Sequence, residues 1–319
     1  IGKRDLIAAG LLALFWLLTT MNAWTKPATA QLLEGKAMGS TWSATLSHPA
    51  ASHLQKLVSD RLETLEQIFS HYRPQSDLSR FNARQDTNWM PVPAEMVEVI
   101  DLAKKVYEQT RGTLEPTIAP LVTLWGYGPG GTQNKTPTEA DVQTALSQVG
   151  LDAIDVRHQP PAIRKTNPSV TLNLSAIVEG YAAEEIDRLL AENGSRDHLV
   201  NIGGEVKARG LSPADQPWQI GIQHPDSPQP CSVIALQNEA AATSGTYRQR
   251  SVDRRRSHII DPRTGRPVTH TTESVTVIHQ SPALADAYAT ALLVLGSTEG
   301  RPLAEQLGLN AFFLDRASR

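Results

Sequence analysis

From residue 54 the chain sets Leu54, Leu57, Val58, Leu62, Leu65 and Phe69 on one 3.6-residue stripe, which predicts an amphipathic helix. "PAEMVEVIDLAKKVYEQTRG" repeats that period, with Pro93 in a first-turn position and Gly112 as the stop. Thr136-Pro137-Thr138-Glu139 predicts a third helix, opened by a capping box with proline at its first position and ending at Gly150. "SAIVEGYAAEEIDRLLAENG" predicts a fourth, capped by Ser175 and stopped by Gly194. The last, "SPALADAYATALLVLG", has Ser281 as N-cap, Pro282 at its first position and Gly296 at its end. Elsewhere the period drops to two. "GKAMGSTWSATL", "SVTLNLS", "HLVNIGGEVKARG", "WQIGIQH", "CSVIALQN" and "SVTVIHQ" each read as a strand. The loosest stretches are "GYGPGGTQNKTPT" (126–138) and "HPDSPQP" (224–230). With no internal repeat or low-complexity linker, the pattern predicts one mixed α/β domain over 31–319.

The first thirty residues follow a different pattern. Lys3 and Arg4 precede the uncharged run "LIAAGLLALFWLL", and "ATA" at 28–30 offers a small-x-small cleavage site before Gln31. The run falls short of the ~20 apolar residues that span a bilayer comfortably. Residues 1–30 are therefore expected to be a cleaved export signal, with an N-terminal membrane anchor as the alternative if "MNAW" extends the run to Trp24. No cysteine follows this run closely, so a lipoprotein is not expected. Cys231 is the sole cysteine of the chain, which excludes an internal disulfide and any cysteine-rich zinc site. A net charge of −3 gives no electrostatic reason to bind nucleic acid.

Against that background a few polar positions stand out. Asp286 and Thr290 lie one turn apart on an otherwise apolar helix, so a carboxylate and a hydroxyl can face one spot. Both are hard oxygen donors that suit Mg²⁺ and not zinc or copper, although a carboxylate near a helix N-terminus is favoured by the helix dipole alone. His258 precedes the turn signal "DPRTG", where it could serve as a general base or be structural. "TSGTYR" (243–248) and "NIGGEV" (201–206) place glycines where a backbone bends or approaches a ligand closely. Gly126, Gly128 and Gly131 match G-x-G-x-x-G, but the next helix has its own start at Thr136, so a dinucleotide-binding reading is disfavoured. Neither a G-x-S-x-G elbow nor a P-loop is present.

Taken in order, "AMGSTW", "HYRPQSDLSRFN", "GTLEPTIAPLVTLWGYGP", "LNLSAIVEGYA", "VNIGGEVKARG", "ATSGTYR", "SHIIDPRTGRPV" and "SVTVI…ADAYATALLVLG" resemble the ApbE family of FAD:protein FMN transferases over nearly all of 31–319. The resemblance implies an α+β fold with antiparallel-rich sheets flanked by helices. It also implies a Mg²⁺-dependent enzyme outside the cytoplasm, periplasmic or anchored to the outer face of the inner membrane. Such an enzyme takes FAD as substrate, releases AMP and attaches FMN to a Thr or Ser hydroxyl of an acceptor protein. Acceptors implied are subunits of sodium-pumping and related membrane redox complexes (NqrB-, NqrC- and RnfG-like subunits).

By position, Asp286, Thr290 and the backbone carbonyl of Ala176 match the family's metal ligands, with Mn²⁺ an alternative to Mg²⁺. His258 matches the histidine that deprotonates the acceptor. Met38, Tyr72, Thr113, Leu114, Glu115, Asn173, Glu179, Gly245, Thr246 and Ile260 match positions that contact FAD. Two positions depart from the family pattern: Asn173 replaces an aspartate, and Glu115 an aspartate in "DPT". Two other readings stay open at this point, an FAD pyrophosphatase with water as acceptor and a non-catalytic periplasmic FAD-binding protein.

Overall fold

In a computed structural model, which describes residues 30–49, 51–129, 136–227, 229–247 and 257–316, the segment expected as one opening strand folds back on itself. Strands β1 (Gln31–Ala37) and β2 (Ser40–Leu46) pair antiparallel around Met38 (φ 55°) and Gly39 (φ 73°). Two consecutive left-handed residues match the twist of the flanking strands. Glycine takes that conformation freely, whereas methionine is strained in it by on the order of 1 kcal/mol or more. Residues 1–29 of the expected export or anchor segment, Gly131 and Arg248 lie outside the described residues.

After the hairpin come α1 (Leu54–Phe69), α2 (Asp77–Ala83), the short β3 (Met90–Pro91), α3 (Ala94–Gln109), α4 (Ala119–Leu124) and α5 (Glu139–Leu146). Strands β4 (Ile154–Arg157) and β5 (Ala162–Lys165) then lead to α6 (Ser175–Glu192). Beyond it lie β6 (His198–Ile202), β7 (Glu205–Arg209), β8 (Trp218–Gln223), β9 (Pro230–Leu236), β10 (Ala240–Gly245), β11 (Ile260–Asp261), β12 (Arg266–Pro267) and β13 (Thr272–His279). The chain closes with α7 (Pro282–Leu307) and β14 (Asn310–Asp315).

Seven strands form one antiparallel sheet in the order β1-β2-β6-β7-β10-β13-β14. Helices α6 and α7 pack against each other across β6, β7, β10 and β13. The main core is built where Val200, Ile202, Ala242, Val275 and Val277 of the sheet meet Ile177, Ala182 and Ile186 of α6 and Ala285, Ala289 and Leu292 of α7. Small residues on α7 and Gly180 on α6 allow this approach: a methyl at Gly180 would overlap the carbonyl oxygen of Pro282. Two smaller clusters lie outside it, one under α4 and α5 around Trp125, the other under the β8–β9 hairpin around Trp218.

Several expected boundaries move, each for a local reason. "HLVNIGGEVKARG" is a hairpin, β6 and β7, turned at Gly203 (φ 64°) and Gly204 (φ 114°). "SVTLNLS" joins no sheet, although Val170, Leu172 and Leu174 alternate inward as a strand would. The amide of Asn82 stands in for a strand partner, donating to the Leu172 carbonyl and accepting its N–H, both at 2.8 Å. Helix α5 is capped two residues later than expected: Thr138 bonds the Asp141 N–H and Asp141 the Thr138 N–H. Ser175 is the first residue of α6 and not its cap; Asn173 Oδ1 accepts the Ser175 N–H at 3.0 Å.

Gly296 breaks α7 (φ 68°, ψ 178°) without ending it, and the helix resumes to Leu307. The groups orphaned by the break find partners outside the helix. The Ser297 N–H donates to Thr272 Oγ1 at 2.8 Å, and His270 Nε2 meets the Leu293 carbonyl at 2.8 Å.

Candidate active site

The close approach of α6 and α7 delivers Asp286 to the first turns of α6. Its carboxylate is 5% exposed, and Oδ2 accepts the Gly180 N–H at 3.1 Å. In an α-helix the N–H of residue i faces the carbonyl of residue i−4. An oxygen drawn to the Gly180 N–H therefore lies where the Ala176 carbonyl also points. One turn along α7, Thr290 Oγ1 lies 2.9 Å from Ser244 Oγ on β10. Asp286 thus reaches the first turns of α6, which carry Ala176, and Thr290 follows one helical turn later beside the end of β10.

Two glycine turns line the same end of the sheet. At the β6–β7 turn, the Gly203 N–H donates to the Thr41 carbonyl at 3.1 Å and the Gly204 N–H to Asn201 Oδ1 at 3.0 Å. Glu179 lies against that turn, because a methyl at Gly203 would come within 2.8 Å of its carboxylate. Gly245 ends β10 with no room for a side chain beside the Tyr247 ring, and the Thr246 N–H donates to the Glu273 carbonyl at 2.8 Å.

An ionic chain links the Met38 turn to the segment that carries Tyr72. The Met38 N–H donates to Glu66 Oε1, and Glu66 pairs with Arg73, the neighbour of Tyr72. Arg73 also bonds Glu63, at 2.6 and 3.0 Å. Tyr72 is 67% exposed, its ring 4.3 Å from that of His71. Burial holds the His71 imidazole below its usual pKa.

Residues 113–115 turn inward. The Thr113 hydroxyl donates to the Thr110 carbonyl at 3.1 Å and Leu114 joins the main core. Glu115 Oε1 accepts the Thr117 N–H at 2.8 Å and hydroxyl at 2.6 Å, while burial pushes its carboxyl above the ordinary glutamate range. The Asn173 N–H donates to the Pro116 carbonyl at 2.6 Å, joining this segment to the start of α6. The side-chain polar groups of Thr113, Glu115 and Asn173 are thus engaged within the protein.

His258 sits between two cores. Ile259 packs on the main core and Ile260 on the Trp125 cluster, while the His258 ring meets Tyr127 edge-on at 6.1 Å between centroids. The turn beyond it is pinned on three sides: Trp125 Nε1 donates to the Gly265 carbonyl at 2.7 Å, Arg263 bonds Asp261, and Arg263 pairs with Glu299 of α7 at 2.8 Å.

Ser244, Gly180 and Glu66 bond the candidate residues Thr290, Asp286 and Met38, and the sequence pattern passes over them. Ser244 had a signal, since it stands inside "TSGT"; Gly180 and Glu66 are an ordinary helix glycine and an ordinary surface-type carboxylate until the fold is seen. Two surface clefts of about 510 and 490 Å³ lie elsewhere, one beside Thr123 and Gln148, the other beside Lys105 and His158. The donor types fit a hard cation: one carboxylate, one hydroxyl and one carbonyl from the first turn of α6, leaving positions for water or phosphate oxygens.

Fold and site together define a class, an antiparallel α+β protein whose centre offers oxygen donors on a helix pair beside glycine turns. The chain belongs to the ApbE family, whose model matches residues 38–313. It is similar to the FAD:protein FMN transferase of Klebsiella pneumoniae, at 33% identity over 96% of this chain and 91% of that one. The corresponding protein of Escherichia coli is 32% identical over 92% and 86%. Among solved structures, the flavin transferase ApbE of Vibrio cholerae matches with a TM-score of 0.83 and 32% identity, covering 91% of this chain and 95% of that one. The apo form of the Pseudomonas stutzeri flavinyl transferase ApbE matches at 0.81 and 32%, covering 91% and 93%.

Proposed function

We propose that this protein transfers FMN from FAD to a Thr or Ser hydroxyl of an acceptor protein, releasing AMP, with Mg²⁺ as the required ion. The observation that carries this reading is the Asp286 carboxylate on the Gly180 N–H, one turn above Ala176 and one turn before Thr290, in a chain similar over most of its length to FAD:protein FMN transferases. The Ala176 carbonyl, Asp286 and Thr290 would hold the ion. When bound, it neutralises charge that develops on the pyrophosphate as the anhydride breaks.

The chain's own groups supply the rest. His258 takes the proton of the acceptor hydroxyl, whose oxygen then forms the bond to the FMN-side phosphorus as the bond to AMP breaks. Gly203 and Gly245 carry no side chain of their own, so the backbone there can come close to a phosphate group. Met38, held in its strained turn, and exposed Tyr72 offer apolar and aromatic surface to the ring systems. Asn173 lacks the charge of an aspartate, and its side-chain oxygen supports the start of α6 by accepting the Ser175 N–H.

The same reading extends to cell biology. Residues 31–319 act as one catalytic domain, and residues 1–30 act as an export signal or membrane anchor that places it in the periplasm. Lys3 and Arg4 ahead of the apolar run support this. The acceptors are subunits of membrane redox complexes.

Incubation with FAD, Mg²⁺ and a Thr-containing acceptor peptide, followed by intact-mass analysis, tests the proposal. An FMN adduct with stoichiometric AMP is expected. AMP without adduct would instead mark a pyrophosphatase, and unchanged FAD a binding protein.

A further inference from the structure

A threonine inside a helix has two competing uses for its hydroxyl. It can fold back onto the carbonyl four residues earlier, here that of Asp286, or swing off the helix toward a neighbour; its side chain divides between two rotamers for this reason. In this fold the second is taken, since Thr290 Oγ1 lies 2.9 Å from Ser244 Oγ. Ser244 is the last side chain of β10 before Gly245. Successive residues of a strand face opposite sides. Thr243 accordingly bonds Thr276 on one side, at 2.9 Å, while Ser244 meets α7 on the other.

A neutral hydroxyl that ligates a cation must direct its proton elsewhere. We propose that Ser244 is a positioning residue for the cation site: its Oγ accepts the Thr290 proton and holds that hydroxyl with its lone pairs toward the spot the Asp286 carboxylate faces. This rests on the reading of Asp286 and Thr290 as ligands. Without the Ser244 hydroxyl, Thr290 gains from turning back to the Asp286 carbonyl, which withdraws one of three protein donors. Loss of a partner that orients a ligand costs about 10–100-fold in metal affinity.

The test uses Mn²⁺ as probe, followed by loss of the electron paramagnetic resonance signal of the free ion. Wild type, Asp286→Ala, Ser244→Ala and Ser244→Thr are compared, each with a melting curve in metal-free buffer. Asp286→Ala is expected to lose binding. Ser244→Ala should weaken Mn²⁺ affinity about tenfold with its melting temperature unchanged, and Ser244→Thr, which keeps a hydroxyl, should restore it. The Mg²⁺ concentration giving half-maximal FAD turnover should rise by the same factor in Ser244→Ala.

Wild-type affinity in Ser244→Ala overturns the inference and leaves the cation site standing. Equal binding by wild type and Asp286→Ala overturns the cation site itself, and the inference with it. A lowered melting temperature in Ser244→Ala, with affinity not restored by Ser244→Thr, marks a purely structural role and overturns it as well.

Discussion

Three carboxylates of this chain live in different surroundings, and their chemistry diverges accordingly. Asp286 is buried against an N–H of α6, so removing it takes away the only charged member of the proposed donor set. Asp286→Ala should lower FAD turnover by at least about 10²-fold, measured as AMP release at saturating Mg²⁺. Residual turnover near wild type would remove Asp286 from the site.

Asp187 is opposed by burial, but hydrogen bonds from His198 and Arg209 prevail and draw it down to about 2. A carboxyl with a depressed folded-state pKa adds stability that is fully present above the unfolded value of about 4 and is lost as pH falls through the folded value. The shift corresponds to roughly 2 kcal/mol. Urea midpoints of the wild type should therefore fall between about pH 4 and pH 2, and Asp187→Asn should flatten that limb.

Glu115 is the reverse case. Burial raises its pKa, so its contribution is present below the unfolded value and lost as pH rises through the folded one. Glu115→Gln keeps an acceptor for Thr117 and removes the buried charge. At pH 7.5 it should hold or raise the urea midpoint, whereas Glu115→Ala should lower it, with a loss of about 1–3 kcal/mol in unfolding free energy.

Among the elements, the α6–α7 contact governs the site. Gly180→Ala would press a methyl into the Pro282 carbonyl, and backbone cannot yield as a flexible side chain can. The two helices must part, at a cost of about 1–3 kcal/mol. FAD turnover should fall further than stability alone explains, because Asp286 moves away from Ala176. Full activity with an unchanged melting curve would contradict the close approach.

Helices were the most readable elements. The stripe of Leu54, Val58, Leu62 and Leu65 is α1, and Ser281-Pro282 opens α7 as expected. Strand pairing was less readable, since alternation runs through a two-residue turn without interruption and hides the hairpins at Met38-Gly39 and Gly203-Gly204. "SVTLNLS" shows the converse: its alternation is real burial, but its backbone partner is a side-chain amide 90 residues away. Asp286 and Thr290 were legible as a pair by helical spacing. Gly180 was not, because only the tertiary fold sets it against α7, and the "TSGT" signal at Ser244 gave no hint of Thr290 as its partner.

For the whole molecule, the sheet serves as a frame on which remote segments meet at one end. Residues 38, 72, 176, 179, 203, 245, 286 and 290 belong to six connections or helix ends. No local motif announces that meeting, and their order along the chain resembles the ApbE family where spacing alone is mute. His258 enters from a separate, smaller core. His258→Ala should therefore leave the fold intact and lower FMN transfer to peptide by about 10²–10⁴-fold at neutral pH. Mass spectrometry of the adduct checks this, and transfer at the wild-type rate would assign the proton to another base.

The interruption at Gly296 has a mechanical meaning. The N-terminal half of α7 carries the proposed donors, while its C-terminal half is ion-paired through Glu299 to Arg263, in the turn that follows the histidine. The backbone groups at the joint are held by Thr272 and His270, so a change of angle at Gly296 would have to break two hydrogen bonds to the segment that leads into β13.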